Sequence, residues 1–399
     1  MPGVRTEEVR RRNLSAVLSR LHTCGRTSRA ELTEHLGLNR STIGALVGDL
    51  VAAGLAREVG EQAARGGAGR PSLVVEPERH RISTLAVDLG AGHLSVALVG
   101  LGGEVLDRRS GRPDRDHDVE TVVRQVTRLC AELRRAASAD ARLLGIGAAV
   151  PGVVRRSDGL IRSAPNLGWT DVPFAALLAR ATGMVVDVGN DADAGALAEH
   201  IRGAAVGYRD VIYLAGEVGV GGGVLVDGRP LTGLGGYAGE VGHLPLGDKA
   251  NRCRCGAFGC WETEVGEDAL LAAAGRPPGG GLAAVREVTG AVDDPADRAA
   301  VAAAARWLGV GAGALTNVFN PAIIVFGGAL AEVFRAAEAI VREGLHATAM
   351  APAAEQVRLT AQALGGDSEL LGAAEFAFRE LIADPLGWQR GSPSARRQG

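Results

Sequence analysis

The chain has 399 residues, 46% of them hydrophobic, with 43 lysines and arginines against 46 aspartates and glutamates. This length predicts two or three domains with cores large enough to fold without covalent cross-links, and the composition excludes a wholly disordered chain. No stretch approaches the roughly 18–20 unbroken apolar residues of a membrane span, and the charged residues 1–12 have no apolar segment behind them as a secretory signal would. We therefore expect a soluble cytoplasmic protein.

The charges are unevenly distributed along the chain. Residues 1–79 hold 12 arginines and 9 acidic residues, a net charge of +3, whereas the other 320 residues hold 31 basic and 37 acidic residues, a net charge of −6. A small basic segment ahead of an acidic body indicates nucleic acid as a partner at one end of the molecule.

Three helices are predicted at the N-terminus. In the first and third helices apolar residues recur at i, i+3, i+4 and i+7, which is typical of a helix with one buried face. These residues are Leu14, Val17, Leu18 and Leu21 in the first helix and Ile43, Leu46, Val47 and Leu50 in the third. The second helix opens with a capping box from Ser28 to Glu31 and stops at Gly37. Two strands, at 55–59 and 72–75, then flank a loop that contains glycine and arginine.

This order of elements predicts a winged helix-turn-helix DNA-binding domain over residues 1–80. The turn at Gly37-Leu38-Asn39 would let the third helix enter a major groove, and the loop between the strands would form a wing that contacts phosphate or the minor groove. The predicted DNA contacts are Asn39, Arg40, Ser41, Thr42 and Ala45 in the third helix and Arg65 and Arg70 in the wing. The alternative is a three-helix domain that serves dimerisation or the binding of a protein partner.

Residues 81–385 show a duplicated α/β pattern, and a disordered polar tail is expected at 386–399. Strands are predicted at 82–88, 93–99, 104–108, 211–214 and 224–226, and helices at 119–137, 174–181, 192–200 and 299–319. Each half begins with a β-hairpin unit that helices follow. We therefore expect two lobes with a ligand cleft between them, at the ends of the strands.

Four potential metal ligands lie close together, and they are His243, Cys253, Cys255 and Cys260. Three thiolates and one imidazole complete a tetrahedral zinc site with no position left for water, so the spacing predicts structural and not catalytic zinc. Such a site would hold the loop that carries His243 and Glu262. The alternative is that the three cysteines are reduced thiols. An odd total of five cysteines favours a reducing compartment over a disulfide framework.

Several motifs occur together in the body of the chain. They are Gly147-Ala-Ala-Val-Pro151-Gly152, Asn190-Asp191-Ala-Asp193, the glycine run before Asp227-Gly228-Arg229, Glu240-Val-Gly242-His243, Cys253-x-Cys255-Gly-x-x-Gly-Cys260-Trp-Glu262, and Asn320-Pro321-Ala-Ile-Ile-Val-Phe-Gly327-Gly328. Over roughly residues 82–380 they resemble the ROK family (repressors, open reading frames and sugar kinases), and a winged helix-turn-helix ahead of them resembles its transcriptional-regulator branch. The resemblance implies an actin/hexokinase-like ATPase fold assembled as a homodimer or homotetramer.

The resemblance also implies a sugar site. Carried over position by position, the family's sugar ligands fall on Asn190, Asp191, Glu240, His243 and Glu262. Carboxylates and an amide can bind the vicinal hydroxyls of a pyranose in bidentate fashion. One ring nitrogen of His243 would bind zinc and the other the sugar, so that the metal fixes the tautomer and the direction of the ring. Asp193 stands where the family usually has asparagine, and we assign it no role.

The two phosphate loops of the family's kinases are altered in this chain. The first loop reads Asp-x-Gly-Gly-Thr-Lys in kinases and Asp88-Leu-Gly90-Ala91-Gly92-His93 here. The second reads Gly-Thr-Gly-x-Gly in kinases and Glu217-Val218-Gly219-Val220-Gly221 here. A threonine hydroxyl and a lysine are lost, and the carboxylate of Glu217 would repel phosphate. Because phosphoryl transfer depends on positioning and charge stabilisation, these changes predict a sensor and not an enzyme.

The sequence therefore predicts a sugar-responsive transcriptional regulator, in the default case a repressor of carbohydrate-metabolism genes that a monosaccharide releases from palindromic operator DNA. The sugar must bind the DNA-competent and DNA-incompetent states with different affinity. Two alternatives stay open at this point. One is an ATP-dependent, glucokinase-like sugar kinase with a DNA-binding head, in which Asp191 would act as general base. The other is a sugar-binding regulator that acts mainly through protein contacts.

Overall fold

The N-terminal region contains three helices and a small antiparallel sheet in this computed structural model, which describes residues 2–60, 73–291 and 293–388. The elements are α1 (Pro2–Cys24), β1 (Thr27–Ser28), α2 (Arg29–Leu36), α3 (Arg40–Ala52), β2 (Ala56–Val59) and β3 (Val74–Pro77). The strands lie in the order β1-β3-β2, and β2 pairs antiparallel with β3. The three predicted helices and the strand pair are confirmed. The predicted wing residues Arg65 and Arg70 lie outside the described residues.

Local hydrogen bonds set the boundaries of these short helices. The hydroxyl of Ser28 accepts from the N–H of Glu31 at 3.1 Å, and the carboxylate of Glu31 accepts from the N–H of Ser28 at 2.7 Å, which confirms the predicted capping box. Gly37 ends α2 in the left-handed conformation with φ of 64°. Asn39 then caps α3 by accepting from the N–H of Thr42 at 2.8 Å.

The first lobe is built on a five-stranded sheet in the order β11-β7-β4-β5-β6. Its strands are β4 (Ile82–Leu89), β5 (Leu94–Gly100), β6 (Val105–Gly111), β7 (Arg142–Val150) and β11 (Val186–Asn190), and a smaller side sheet holds β8 (Val153–Arg155), β9 (Leu160–Ala164) and β10 (Trp169–Val172). The helices are α4 (Val119–Ala136), α5 (Phe174–Thr182) and α6 (Asp191–Arg202). Strands β4, β5 and β6 form an antiparallel meander, whereas β7 and β11 run parallel to β4.

The second lobe repeats this topology with the strand order β14-β13-β12-β15-β16. Its strands are β12 (Val211–Gly216), β13 (Val220–Val226), β14 (Arg229–Pro230), β15 (Ile323–Gly327) and β16 (Arg358–Ala361). Its helices are α7 (Glu262–Val265), α8 (Glu267–Ala273), α9 (Gly281–Gly290), α10 (Pro295–Phe319), α11 (Gly328–Thr348) and α12 (Ala351–Gln356), and short 3-10 helices lie at Val241–His243 and Gly365–Asp367. The last helix, α13 (Ser368–Ala383), returns to pack on β4 and β7 of the first lobe, whereas α6 packs on β12 and β13 of the second. In both sheets a three-stranded meander is followed by two parallel strands, so the predicted duplication is confirmed.

The N-terminal helices share one hydrophobic core with the body. Buried leucines of α1 and α3, among them Leu18 and Leu50, belong to the same cluster as Ala198 of α6 and Phe376 and Phe378 of α13. Separate clusters fill the interior of the first lobe and of the second lobe. The predicted boundary near residue 80 therefore divides the chain between β3 and β4, but packing continues across it.

Helix α10 is the one described helix that is long and apolar enough to cross a membrane by length and composition. The sequence shows no unbroken apolar stretch of that length here, because Arg306 interrupts the apolar run of the helix. Most of its apolar window is buried, and its residues Ala305, Leu308 and Ala312 lie in the core of the second lobe. It is the central helix of that lobe. It begins four residues before the predicted start because Asp294 and Pro295 form a strong helix-starting pair.

Candidate functional site

The five residues of the predicted sugar site line one cavity between the lobes. Asn190 ends β11 and caps α6, where its Oδ1 accepts from the N–H of Asp193 at 3.1 Å and its Nδ2 donates to the carbonyl of Gly152 at 3.1 Å. Asp191 is the first residue of α6, and its Oδ1 accepts from the N–H of Ala192 at 2.8 Å. The first lobe thus supplies an amide and a carboxylate at the carboxyl end of a parallel strand, where ligands of such sheets bind.

The second lobe supplies Glu240, His243 and Glu262 from the opposite side. Glu240 precedes the 3-10 helix Val241–His243, and Glu262 begins α7 directly after the cysteine loop. Burial raises the pKa of Glu240, although nearby His243 opposes the shift. Burial raises the pKa of Asp191 to about 8, and the charges of Glu217, Asp88 and Glu240 add to the increase. The cleft therefore concentrates carboxyl groups, which suits a neutral ligand with many hydroxyl donors.

Asn166 and Arg254 line the same cavity and were not selected from the sequence. The guanidinium of Arg254 donates to Oδ1 of Asn166 at 3.1 Å and to Oδ2 of Asp268 at 2.6 Å. Asn166 belongs to the first lobe and Arg254 to the cysteine loop, so this contact joins the two walls of the cleft. The position of Asn166 directly after Pro165, at the end of β9, was the one sequence signal that could have indicated a loop side chain at the cleft.

The predicted metal ligands come together. The ligand atoms of His243, Cys253, Cys255 and Cys260 all lie within 4.8 Å of one another. Sγ of Cys253 is 3.7 Å from Nδ1 of His243, and Sγ of Cys255 is 3.7 Å from Sγ of Cys260. Zinc–sulfur bonds of about 2.3 Å in a tetrahedron require sulfur atoms about 3.8 Å apart. The four residues therefore fit a structural metal ion.

The geometry also assigns the two ring nitrogens of His243. Nδ1 faces Cys253, whereas Nε2 lies 3.9 Å from Oε2 of Glu240 on the cleft side. Glu262 lies between the cysteine cluster and the cleft. Its Oε1 is 2.8 Å from Sγ of Cys253, and its Oε2 is 3.4 Å from the backbone nitrogen of Val220. A metal bound through Nδ1 would leave Nε2 free to hydrogen-bond a ligand in the cleft.

His93 occupies the first altered phosphate loop and pairs with the second. Its Nε2 lies 3.0 Å from Oδ2 of Asp88, and its Nδ1 lies 3.5 Å from Oε1 of Glu217 in the other lobe. Burial alone would lower the pKa of His93, but the hydrogen bond with Asp88 and the charges of Asp88 and Glu217 raise it to about 9. The imidazolium therefore bridges the two loops that would hold the phosphates of a nucleotide.

Of the predicted DNA contacts, five lie in the described part of the chain, and one of them, Ala45, is exposed on α3. Arg40 and Ser41 are exposed in the first turn of α3, and Thr42 is half-buried there. Asn39 is exposed, but its Oδ1 accepts from both the N–H of Thr42 and the hydroxyl of Ser41, so its side chain already has a capping role. Arg40 is the one exposed cation of this group in the described part of the chain.

Comparisons with known proteins match this architecture. The ROK family model matches residues 84–380. A xylose repressor of Caldicellulosiruptor bescii is 29% identical over 315 residues, which cover 75% of this chain and 78% of that protein. A xylose repressor of Bacillus spizizenii is 26% identical over 370 residues, which cover 89% of this chain and 92% of that protein.

Solved structures show the same fold. One, described as a ROK family transcriptional regulator and homolog of the E. coli MLC protein, has a TM-score of 0.76 and 24% identity and covers 95% of this chain and 98% of its own. A ROK family glucokinase from Streptomyces griseus, in complex with glucose and AMPPNP, has a TM-score of 0.65 and 26% identity and covers 74% of this chain and 99% of its own. Two sheets of repeated topology around one cleft define the actin/hexokinase-like class of proteins. Within that class, the chain belongs to the ROK family.

Proposed function

We propose that the chain is a transcriptional repressor that binds palindromic operator DNA through residues 1–80 and is released by a monosaccharide bound between the lobes. The observation that carries this proposal is a polar cleft lined by Asp191 and Glu240 from opposite lobes, in a chain whose N-terminal helices pack on the same body. Similarity to proteins named xylose repressor and N-acetylglucosamine repressor supports the same class of function.

The N-terminal region is proposed as a winged helix-turn-helix. In this proposal the exposed first turn of α3 enters the major groove, and Arg40 contacts a base edge or a phosphate. A palindromic operator has two equivalent half-sites, so a homodimer or homotetramer would place two such regions on one duplex. A repressor of this kind acts where its operator DNA lies, so the proposed location is the cytoplasm.

The same proposal excludes phosphoryl transfer as the main activity. Phosphate groups of a nucleotide would need the space between Asp88 and Glu217, and those two carboxyl groups already share the imidazolium of His93. A nucleotide would have to displace this cation and would then meet two acidic groups without the usual lysine. The cleft can therefore bind a sugar without the means to phosphorylate it.

The experiment that tests the proposal is a thermal-shift panel of pentoses, hexoses, amino sugars and their phosphates, each with and without Mg-ATP. A ligand of the folded state raises the free energy of unfolding by about 2.7 kcal/mol at 100 times its Kd. We expect stabilisation by one sugar and none by Mg-ATP, and we expect that sugar to release a DNA duplex selected by the protein from a random pool. Stabilisation by Mg-ATP together with formation of a sugar phosphate would establish a kinase instead.

Glu240→Ala should separate sugar binding from DNA binding. Loss of a carboxylate that accepts hydrogen bonds from sugar hydroxyls weakens binding by about 1.5–3 kcal/mol, or roughly 10–150-fold. DNA affinity without sugar should stay unchanged, and titration calorimetry and anisotropy measure the two affinities. Glu120→Ala, which removes an exposed carboxylate of α4, is the matched control. A Glu240→Ala protein that sugar still releases from DNA at the wild-type concentration would disprove the assigned cleft.

Arg40→Ala should weaken DNA binding and leave sugar binding intact. A bidentate base contact contributes about 1–3 kcal/mol, whereas a phosphate contact lowers the slope of log affinity against log salt by about one. Anisotropy titrations at several salt concentrations distinguish the two cases. The control is Arg124→Ala, which removes the same charge from an exposed site on α4. Equal DNA affinity and equal salt slope in both variants would remove Arg40 from the interface.

A further inference from the structure

Helix α6 connects the sugar cleft to the N-terminal helices. Its first residue, Asp191, lines the cleft, and its last residue, Arg202, contacts α1. The helix has 12 residues, which at a rise of 1.5 Å per residue span about 18 Å. One rigid element therefore has its two ends at the two places that a sugar-responsive repressor must couple.

The contact at the far end of α6 is a buried polar cluster of His22 in α1, Arg202 in α6 and Glu375 in α13. The N–H of Gly102 donates to Nδ1 of His22 at 3.0 Å, so the ring proton of the neutral imidazole lies on Nε2. Nε2 then donates to Glu375 at 2.9 Å, and Nη2 of Arg202 reaches the same carboxylate at 2.9 Å and the carbonyl of His22 at 3.3 Å. Nη2 also lies 2.7 Å from Nε2, so that two donors face each other inside the cluster. His22 is 1% exposed and Glu375 6%.

The cluster is charged and tightly enclosed. Burial alone would raise the pKa of Glu375, but His22 and Arg202 lower it, so the carboxylate is ionised and pairs with the guanidinium. Removing one member of such a buried group leaves its partners without compensation in a low dielectric. Nε and Nη1 of Arg202 are buried without a hydrogen-bond partner among the described residues. Unsatisfied buried donors disfavour the observed arrangement, which brings a second arrangement closer in free energy.

Close backbone packing makes α6 and α13 move together. A Cβ atom on Gly372 of α13 would lie 1.9 Å from the carbonyl oxygen of Ala194 in α6, so the two helices meet at a distance that only glycine allows. Packed helices of this kind shift as units and do not deform continuously. A displacement of α6 at the cleft would therefore carry α13 with it and would be taken up at the contact with α1.

We propose that His22, Arg202 and Glu375 form the joint through which sugar in the cleft changes the position of the N-terminal helices. The inference rests on the proposed function and adds the residues that transmit its signal. A ligand shifts an equilibrium only when its free energy of binding differs between the two states. Here the sugar contacts the first turn of α6, and the state of the joint at the last turn determines how α1 and the attached α3 are presented to DNA.

Two substitutions of His22 test the joint, because each keeps one of its hydrogen bonds. His22→Asn retains an acceptor near the position of Nδ1 for Gly102 but has no donor for Glu375, whereas His22→Gln retains a donor near the position of Nε2. For each protein the Kd for the selected duplex is measured with and without sugar, with D-xylose, D-glucose and N-acetylglucosamine as probes, and the sugar Kd is measured separately. Coupled sites change one another's affinity by about 5–150-fold.

We expect His22→Asn to bind the sugar and the free duplex within about twofold of the wild type, and to reduce the sugar-dependent ratio of duplex Kd values to about one, against the 5–150-fold of coupled sites. His22→Gln should retain most of the ratio. Arg108→Ala, which removes an ion pair with Asp367 within the body, is the control and should retain it fully. If the role of His22 were purely structural, His22→Asn would lower the stability of the protein and its affinity for both sugar and duplex. The sugar-dependent ratio of duplex Kd values would then stay unchanged.

Hydrogen exchange of the wild-type protein provides a test that does not depend on a variant. Saturating sugar should change the exchange of amides in α1 around His22, and unchanged exchange there would overturn the joint. An His22→Asn protein with the wild-type ratio would also overturn it, while the proposed function would stand. A wild-type protein that binds a sugar but whose duplex affinity no sugar changes would contradict the proposed function itself.

Discussion

Cys255→Ser is expected to remove the metal and to abolish the sugar response. Metal analysis of the wild type should find about one zinc per chain, as a closed four-ligand site requires. With three ligands left, the zinc content should fall to near zero. His243 and Glu262 then lose the support that places them in the cleft, and sugar affinity should decrease by about 100-fold or more, since two hydrogen-bonding groups are lost at once.

The same variant should lose stability, because binding of structural zinc contributes directly to folding. Thermal unfolding with and without a chelator measures this effect, and the chelator should have no effect on the variant. Cys24→Ser is the matched control, since Cys24 is an exposed thiol outside the cluster. A wild-type protein that is folded, sugar-responsive and free of zinc would contradict the predicted role of the metal.

Asp191→Asn should have opposite effects on sugar binding and on stability. A carboxylate that is ionised in the sugar complex accepts hydrogen bonds from sugar hydroxyls more strongly than an amide oxygen does, so sugar affinity should fall by about 10–100-fold. In the absence of sugar the variant should be more stable by about 0.5–2 kcal/mol, because burial and the nearby Glu217, Asp88 and Glu240 disfavour the charged form. Asp191 would thus lower the stability of the sugar-free protein and strengthen the binding of sugar.

The pH dependence of the stability difference follows from the raised pKa. Asp191 has a pKa of about 8 in the folded chain and about 3.8 in the unfolded chain. The unfolded state therefore loses its proton first, and the wild type loses stability as the pH rises from about 4 to 8. The advantage of Asp191→Asn should be absent near pH 4, grow through this range and become constant above it.

Asp193→Asn is the matched control for that prediction. Asp193 lies two residues further along α6, and burial raises its pKa to about 7. It does not line the predicted sugar cavity, so its substitution should stabilise the protein in the same pH range and leave sugar affinity unchanged. Differential scanning calorimetry and sugar titration of the two variants separate these effects. Equal sugar affinity in the Asp191→Asn variant would remove this carboxylate from the cleft's ligands.

The local sequence determined the elements and the metal cluster. The capping box at Ser28 and the i, i+3, i+4, i+7 pattern of Ile43 to Leu50 were readable because helix caps and helix faces depend on residues at most seven positions apart. The ligands from Cys253 to Cys260 were readable for the same reason, since one short loop brings them together. The duplicated order of strands and glycine turns likewise indicated two lobes before any pairing was known.

Only the tertiary structure decided which distant polar groups meet. His93 and Glu217 were each recognised as changes in separate loops, but their approach across the cleft depends on how the two sheets pack. His22 and Glu375 are 353 positions apart, and nothing near either residue indicates a buried ion pair with Arg202. The burial, the surrounding charge and the hydrogen bonds of such groups depend on contacts from distant parts of the packed chain. The sequence by itself therefore determined five side chains of the cleft but not Asn166 or Arg254, and the packing of α6 between the lobes decided what the cleft is connected to.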